Sequence, residues 1–399
     1  AFDRMIKDKV TGFLCSSSEE WEKVLSLLVE NKGLRRKIGE RAYRYCTKKC
    51  VTLYTGIPLK RFIEKYTTPN IAFALPSMNI SGGIMVALKH AVMLQDAGQD
   101  VMLINVDNKI TWCNHEDHQI PVIGQNGKFL LGRFDRVVAT MWTTVSFLEN
   151  YNNIGKRYYL VQNFEPDFYE AGNPLRVAAN QSYFPRVDIQ CLTISQWCKK
   201  WLETDYGHSV RYVPNGIVKE KFRHYKRDFS GKIRILIEGD CSVYYKNVDE
   251  SFRIVDKLDP EKYEIWYMSY NAKPKAHYRV DKFLHQVPYE KVPQVYRQCH
   301  ILLKTSFLES FSYPPLEMMA TGGFVVAVQN DGNKEYLKDG YNCLIYARGH
   351  KKAAHRAIIR IVENAQLRER LEKGAKETIR GRDWNVVRKD VLQLYDVAR

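Results

Sequence analysis

Between residues 71 and 104 the chain alternates a short apolar run, a glycine turn and a helix-spaced apolar face, and this unit restricts the possible folds more than any other feature. Ile71-Ala-Phe-Ala-Leu75 reads as a buried strand and Ser81-Gly82-Gly83 as a loop. Ile84, Ala87, Leu88, Ala91 and Leu94 then recur at helical spacing, Gly98 stops the helix, and a second strand follows from Val101 to Ile104. That is a βαβ unit. Further short strands are expected at 136–140, 157–161, 191–194 and 210–213, with a helix over 196–206. A second series runs through 233–237, 263–268, 282–287, 300–303 and 324–328 and ends in helices after Gly349. Strands alternating with helices predict an α/β fold with mainly parallel, covered sheets. The charged, apolar-poor segment 219–231 is the natural linker between two halves.

Ahead of these units, residues 19–50 read as two helices, with Ser18 as N-cap and Trp21, Val24, Leu25 and Leu28 on one face. Val29, Glu30, Asn31, Leu34, Arg35 and Ala42 recur near the other end as Val362, Glu363, Asn364, Leu367, Arg368 and Ala375, at one constant offset. Either one structural unit appears twice, or two charged amphipathic helix pairs coincide. In the first case the opening 60 residues look like the tail of a preceding copy of such a domain.

The length of 399 residues accommodates two cores. No apolar run approaches the roughly 20 residues that span a bilayer. Nine scattered cysteines without a Cys-x-x-Cys pair favour reduced thiols and a cytoplasmic location. The net charge of +16 suits anionic partners in general: a phosphate-bearing substrate, or an acceptor at an anionic membrane surface with peripheral contact. No zinc-finger spacing or nucleic-acid reading module accompanies it, so nucleic acid is not the expected partner.

The chemistry concentrates in residues 302–323. A strand ends near Lys304, a loop follows, and Pro315 suits the first position of a helix because a missing N–H costs nothing there. Backbone amides from Ser310 to Leu316, through Phe311, Ser312 and Tyr313, are then expected to form a main-chain anion site at the positive helix end. Glu309 and Glu317 flank that turn, and carboxylates accept paired hydrogen bonds from vicinal sugar hydroxyls. On its own, Glu317 reads equally well as a first-turn acid opposing the helix dipole.

This stretch resembles the retaining glycosyltransferases of the GT-B fold, family 4, whose E-x-F-G-x-x-x-x-E element reads here as Glu309-Ser-Phe311-Ser312-Tyr-Pro-Pro-Leu-Glu317. The resemblance implies that Glu317 binds the nucleotide ribose and that Glu309 lies by the transferred sugar. Ser312 replaces the family's glycine. The residues around Ser81, Gly82 and Gly83 are similar to the acceptor-side glycine loop, and Val213-Pro-Asn-Gly-Ile217 to the element before the linker. Where the family carries Gly-Arg and a later Lys, this chain has Gly239, Asp240 and Lys246, which displaces one diphosphate cation; Lys304 is the candidate replacement.

The resemblance therefore implies two facing Rossmann-like domains: a helical extension over 1–60, an acceptor-side domain over 61–222, a donor domain over 223–383, and a helix over 384–399 that crosses back. Tyr159-Leu-Val-Gln162-Asn163-Phe-Glu165 looks like the corresponding stretch of rhamnosyltransferases, which implies dTDP-β-L-rhamnose as donor, transfer with retention to a saccharide or lipid-linked glycan, and a role in surface polysaccharide or S-layer glycan assembly. Ordinary aromatic packing in a strand-to-helix loop explains the same residues.

No Asp-x-Asp pair occurs, so no metal or other cofactor is expected and lysines with amides are left to neutralise the diphosphate. His115, Glu116 and His118 form a weak metal candidate on a loop. No Gly-x-Gly and no Gly-Lys-Ser/Thr occurs either, which removes the dinucleotide fingerprint and the P-loop. Two alternatives stay open: a sugar-nucleotide epimerase or hydrolase on this fold, and a degenerate nucleotide- or polysaccharide-binding module.

Overall fold

The computed structural model describes residues 5–49, 71–78, 81–107, 120–124 and 133–397. It contains two all-parallel sheets. The first, in the order β3-β2-β1-β4-β5-β6-β7, comprises β1 (Ile71–Leu75), β2 (Val101–Asn105), β3 (Val122–Gly124), β4 (Phe134–Ala139), β5 (Ile154–Val161), β6 (Gln190–Thr193) and β7 (Val210–Tyr212). The second, in the order β10-β9-β8-β11-β12-β13, comprises β8 (Ile233–Glu238), β9 (Tyr263–Ser269), β10 (Lys282–His285), β11 (Ile301–Lys304), β12 (Phe324–Val328) and β13 (Leu344–Tyr346). Each is a doubly wound Rossmann-like sheet whose order reverses beside its first strand, so that β1/β4 and β8/β11 open the crevices where such sheets take ligands. β1, β2 and β12 are buried on both faces, which is why they read as continuous apolar runs.

In chain order the helices α1 (Ser18–Glu30) and α2 (Lys32–Lys49) come first, and α3 (Gly82–Asp96), α4 (Trp142–Asn150), α5 (Pro174–Gln181) and α6 (Gln196–Thr204) accompany the first sheet. Those of the second half are α7 (Val248–Val255), α8 (Val292–Gln298), α9 (Tyr313–Ala320), α10 (Lys351–Glu363), α11 (Ala365–Arg380) and α12 (Trp384–Leu394). α1 and α2 form a compact unit of their own, and both sheets lie in the other unit. Ser17 rather than Ser18 caps α1, accepting the Glu20 amide. Ser81 caps α3, and Gly98 ends it at φ +80, a conformation glycine adopts without strain.

Two segments tie the halves together at their junction. The amide of Ile217, on the way into the linker, donates to the Arg382 carbonyl at 2.7 Å, and the Trp384 amide donates back to the Ile217 carbonyl at 3.2 Å. Gly216 is required there, because a Cβ would sit 2.8 Å from the Trp384 ring. Beyond this crossing α12 lies on α3 of the first half, where the Tyr395 hydroxyl meets buried His90 Nδ1 at 2.8 Å and the ring packs edge-on to Phe73 and Tyr158. Asp396 accepts from Lys156, Arg211 and the Tyr158 hydroxyl, and these bonds outweigh partial burial to hold its carboxyl down at about 2. Glu335 adds a further tie: it accepts the Gln196 amide and the Tyr212 hydroxyl of the first half, with Arg382 at 3.6 Å. Among the described residues no helix is long and apolar enough to cross a membrane.

Candidate functional site

The site grows from the carboxyl ends of β8 and β11. After β8, Gly239 turns the chain at φ +141, and a Cβ there would lie 3.3 Å from Val248, 3.7 Å from Lys246 Cβ and 3.9 Å from Lys304 Nζ. The backbone that follows makes a 3₁₀ turn over Tyr244–Lys246 and enters α7 through Asn247 in the left-handed region at φ 51. Asn247 tolerates that geometry because its side chain donates to Glu250 at 2.7 Å. The loop after β11 is fastened to this turn: Thr305 Oγ1 donates to the Asn247 carbonyl at 2.8 Å and the Phe307 amide to the Tyr245 carbonyl at 3.0 Å. These bonds fix the approach of Lys246 to Glu309.

Lys246 Nζ lies 2.8 Å from Glu309 Oε1, and Lys304 Nζ lies 3.9 Å from the same oxygen. Lys304, with its side chain only 3% exposed, pairs most closely with Glu238 Oε2 at 2.5 Å. Burial raises the Glu309 carboxyl, but Lys246 and Lys304 together outweigh it and hold the group below the ordinary carboxylate range. Burial likewise lowers the Lys246 ammonium, and Glu309 with Glu238 more than reverses that. Glu317 is different. Burial pushes its carboxyl up to about 8, with Glu238 acting in the same direction against the Tyr296 hydrogen bond and Lys304. Lys304 thus acts on both Glu309 and Glu317, which places the two motif acids in one electrostatic neighbourhood.

α9 begins at Tyr313, two residues earlier than the expected start at Pro315. The first four amides of any helix lack an internal acceptor, so Pro314 and Pro315 fit its second and third positions without losing a bond. The same prolines correct the expected row of amides: between Ser310 and Leu316, only Ser310, Phe311, Ser312, Tyr313 and Leu316 carry an N–H. Ser312 is the N-cap residue yet makes no side-chain cap; its carbonyl accepts from the Tyr336 hydroxyl. The Phe311 ring packs against Tyr313 and Tyr336 with centroids 5.0 and 5.3 Å away, so main chain is what this residue presents. Asp240 is turned onto Ser242, accepting its amide at 2.9 Å and its hydroxyl at 2.6 Å, and serves the turn after β8.

On the first half, Gln162 at the end of β5 donates to the Gly83 carbonyl at 3.0 Å, and a Cβ on Gly83 would come 3.2 Å from that amide. Ser81, Gly82, Gly83 and Gln162 therefore form one surface at the start of α3. Asn163 accepts the Phe164 amide instead. Beside them Glu165, 2% exposed, accepts the Trp142 amide at 2.6 Å and the Tyr159 hydroxyl at 3.0 Å, and burial pushes it up to about 8. Glu165 anchors the start of α4. His115, Glu116 and His118 lie outside the described residues, among which no cluster of three metal-ligating side chains occurs.

Several members of the site were not visible in the sequence. Glu238 is one, although an acid ending a strand directly before Gly239 was a usable signal. Gly332 is another: a Cβ there would fall 2.2 Å from the Glu309 carbonyl oxygen, so this glycine lets the Glu309–Ser310 backbone lie flat against the loop after β12. A cavity of about 390 Å³ lies elsewhere, lined by Lys219, Arg223, His224 and Met319 among others, and includes none of the Lys246, Lys304 and Glu309 cluster. It is a crevice beside the linker, separate from the charge cluster.

Residues 243–378 match the family model described as glycosyl transferases group 1. The chain is 26% identical over 261 residues, 64% of its length, to the O-antigen biosynthesis protein RfbC of Myxococcus xanthus, and spans about a fifth of that relative (20%). Its fold is similar to sucrose-phosphate synthase from Thermosynechococcus elongatus, with a TM-score of 0.67 and 14% identity over 82% of this chain and 98% of that one. It is also similar to HepE of Anabaena in complex with UDP-glucose, with a TM-score of 0.63 and 17% identity over 81% and 98%. The fold is GT-B, with both halves included in the match.

Proposed function

We propose that this chain is a nucleotide-sugar glycosyltransferase of group 1 that acts in polysaccharide or O-antigen-type assembly. The observation that carries the reading is the convergence of Lys246, Lys304 and Glu309 beside the uncapped start of α9, within the region that matches the group 1 family. A diphosphate needs cations and amides where its charge develops, and two lysines near a helix start whose N-cap side chain makes no capping bond support that reading. In the reaction, the bond between the sugar's anomeric carbon and the diphosphate breaks and an acceptor hydroxyl oxygen bonds to that carbon. The hydroxyl proton passes to the departing diphosphate, so no separate general base is required.

Lys246, with its side chain 27% exposed, is the cation able to turn from Glu309 to the diphosphate, while Lys304 stays on Glu238. Glu309, relieved of Lys246, lies free to stabilise positive charge on the sugar. Glu317, neutral below about pH 8, can donate as well as accept a hydrogen bond from the ribose. In this reading lysines and amides compensate the diphosphate, and no metal takes part. The donor we favour is dTDP-β-L-rhamnose, transferred with retention to a saccharide or lipid-linked glycan, on the strength of the 159–165 stretch; HepE, a neighbour in fold, binds UDP-glucose. The acceptor-side surface is Ser81 to Gly83 with Gln162 and Asn163, and the basic chain allows peripheral contact with anionic membrane.

Thermal shifts with dTDP, UDP and GDP test the base: a nucleotide at 100 times its Kd adds about 2.7 kcal/mol of apparent stability. Transfer from the best donor, followed with and without a glycan acceptor and with and without EDTA, tests the chemistry. Glu309→Gln is expected to lower turnover by at least about 100-fold while nucleotide binding persists. Wild-type turnover in that variant would overturn the assignment. Asp240, an acid bonded to Ser242 where the resemblance implies a cation, favours a second reading, a binding module without turnover, which predicts a nucleotide shift and no transfer.

A further inference from the structure

α1–α2 and α10–α11 are the same device in two places. Asn31 and Asn364 each end the first helix of a pair, at φ −106, ψ 88 and φ −112, ψ 100, and each backbone N–H donates to the carbonyl four residues back. Each asparagine side chain then accepts the amide three residues on, Leu34 at 2.8 Å and Leu367 at 2.9 Å, and so caps the second helix. Arg35 reaches back to the carbonyls of Leu28 and Val29, and Arg368 to those of Ile361 and Val362. Two amphipathic helix pairs of chance resemblance would share apolar spacing; they would not share a capping asparagine and an arginine closing the same two carbonyls.

The two pairs differ in what covers them. In α10 the face formed by Ala354, Ala357, Ile358 and Ile361 is buried in the core of the second sheet. At the constant offset those positions are Trp21, Val24, Leu25 and Leu28 in α1, an apolar face that contains no buried residue, with Trp21 55% and Leu25 52% exposed. Ile38 of α2, which corresponds to Leu371, is the one buried residue of that helix. A face of this kind left in water is costly, since each large side chain forgoes roughly 1.5–3 kcal/mol of burial.

We propose that α1 and α2 are the closing helix pair of a second donor-type Rossmann-like half, which precedes them in the polypeptide and seats its parallel sheet against Trp21, Val24, Leu25 and Leu28. The order follows from the repeat: in the second half the strands come before the helix pair that covers them. RfbC, of which this chain spans a fifth, shows that a relative has room for further domains of this size. The chain is then one transferase in a tandem, and the surface of α1 is the inside of its neighbour. This holds whatever donor the described site uses.

The test compares hydrogen exchange in the chain as given with a version extended by roughly 150 residues encoded immediately upstream, about one Rossmann-like half. Amides of 18–49 should exchange at least roughly tenfold more slowly in the extended protein. Trp21→Asp with Leu25→Asp should remove that protection, and Glu22→Lys, a charge reversal off that face, should leave it. Exchange over 233–380 in the same samples shows that the variants stay folded. Equal exchange of 18–49 in both proteins, protection that survives the double aspartate variant, or an upstream sequence without an α/β half would each overturn the proposal.

Discussion

Lys246, Lys304, Glu238, Glu309 and Glu317 bring two cations and three acids into one neighbourhood, and the surplus acid sets its pH behaviour. Removing Lys246 leaves Glu309 with a cation only at 3.9 Å, so Lys246→Ala is expected to lower turnover about 100-fold and stability by about 1–3 kcal/mol, measured by transfer assay and urea unfolding. Glu317 and Glu165 are both raised from 4.5 to about 8 by burial. Below pH 4.5 folded and unfolded chains both hold these protons; between 4.5 and about 8 the unfolded chain releases them first, so stability falls as pH rises. Below pH 6.5 buried His90, whose imidazole burial lowers to about 3, works in the opposite sense, so the melting temperature of wild type should drop between 6.5 and about 8, and Glu165→Gln, which keeps an acceptor for the Trp142 amide, should flatten the drop. An unchanged slope in Glu165→Gln would show that the carboxyl titrates normally. Glu309 and Glu317 were legible because both belong to one local stretch. The roles of Glu238, Gly332 and Glu165 were not, since they depend on groups brought in from distant positions: the Lys304 ammonium, the Glu309 carbonyl and the Trp142 amide.

α9 shows how an element's start decides what its end can bind. The two prolines pull the start of the helix forward to Tyr313 and punctuate the amide row, which local sequence permitted but did not reveal, because proline is equally at home at the first helical positions. The strands followed the same logic. β1 and β12 fall where their apolar runs predict, whereas β3 and β13, three residues each, are too short to carry a period and exist by pairing with β2 and β12. Gly332→Ala tests how closely the elements are fitted: its methyl would enter the Glu309 carbonyl, shift the loop and weaken nucleotide affinity by at least about tenfold in a titration. Affinity equal to wild type would mean that the loop yields without consequence.

Across the whole molecule, the division into two α/β halves was readable because each half repeats strand, turn and helix, and the crossing of 384–399 was expected from the resemblance, while contacts between halves made by single residues such as Glu335 were not. Glu335→Ala removes the acceptor for Gln196 and Tyr212, and small-angle scattering of the nucleotide-free variant is expected to show a larger radius of gyration than wild type. An identical scattering curve would assign the tie to α12 alone. The chain passes from one half to the other twice, before the linker and again after α11, and the two passages are bonded to each other at Ile217 and Arg382. Both bonds are made by Ile217, so sliding one passage along the other would break them together, and α12 seated on α3 resists the same movement. On the proposed function, a donor held by one half meets the acceptor side of the other across a junction whose two chain passages cannot slide past each other.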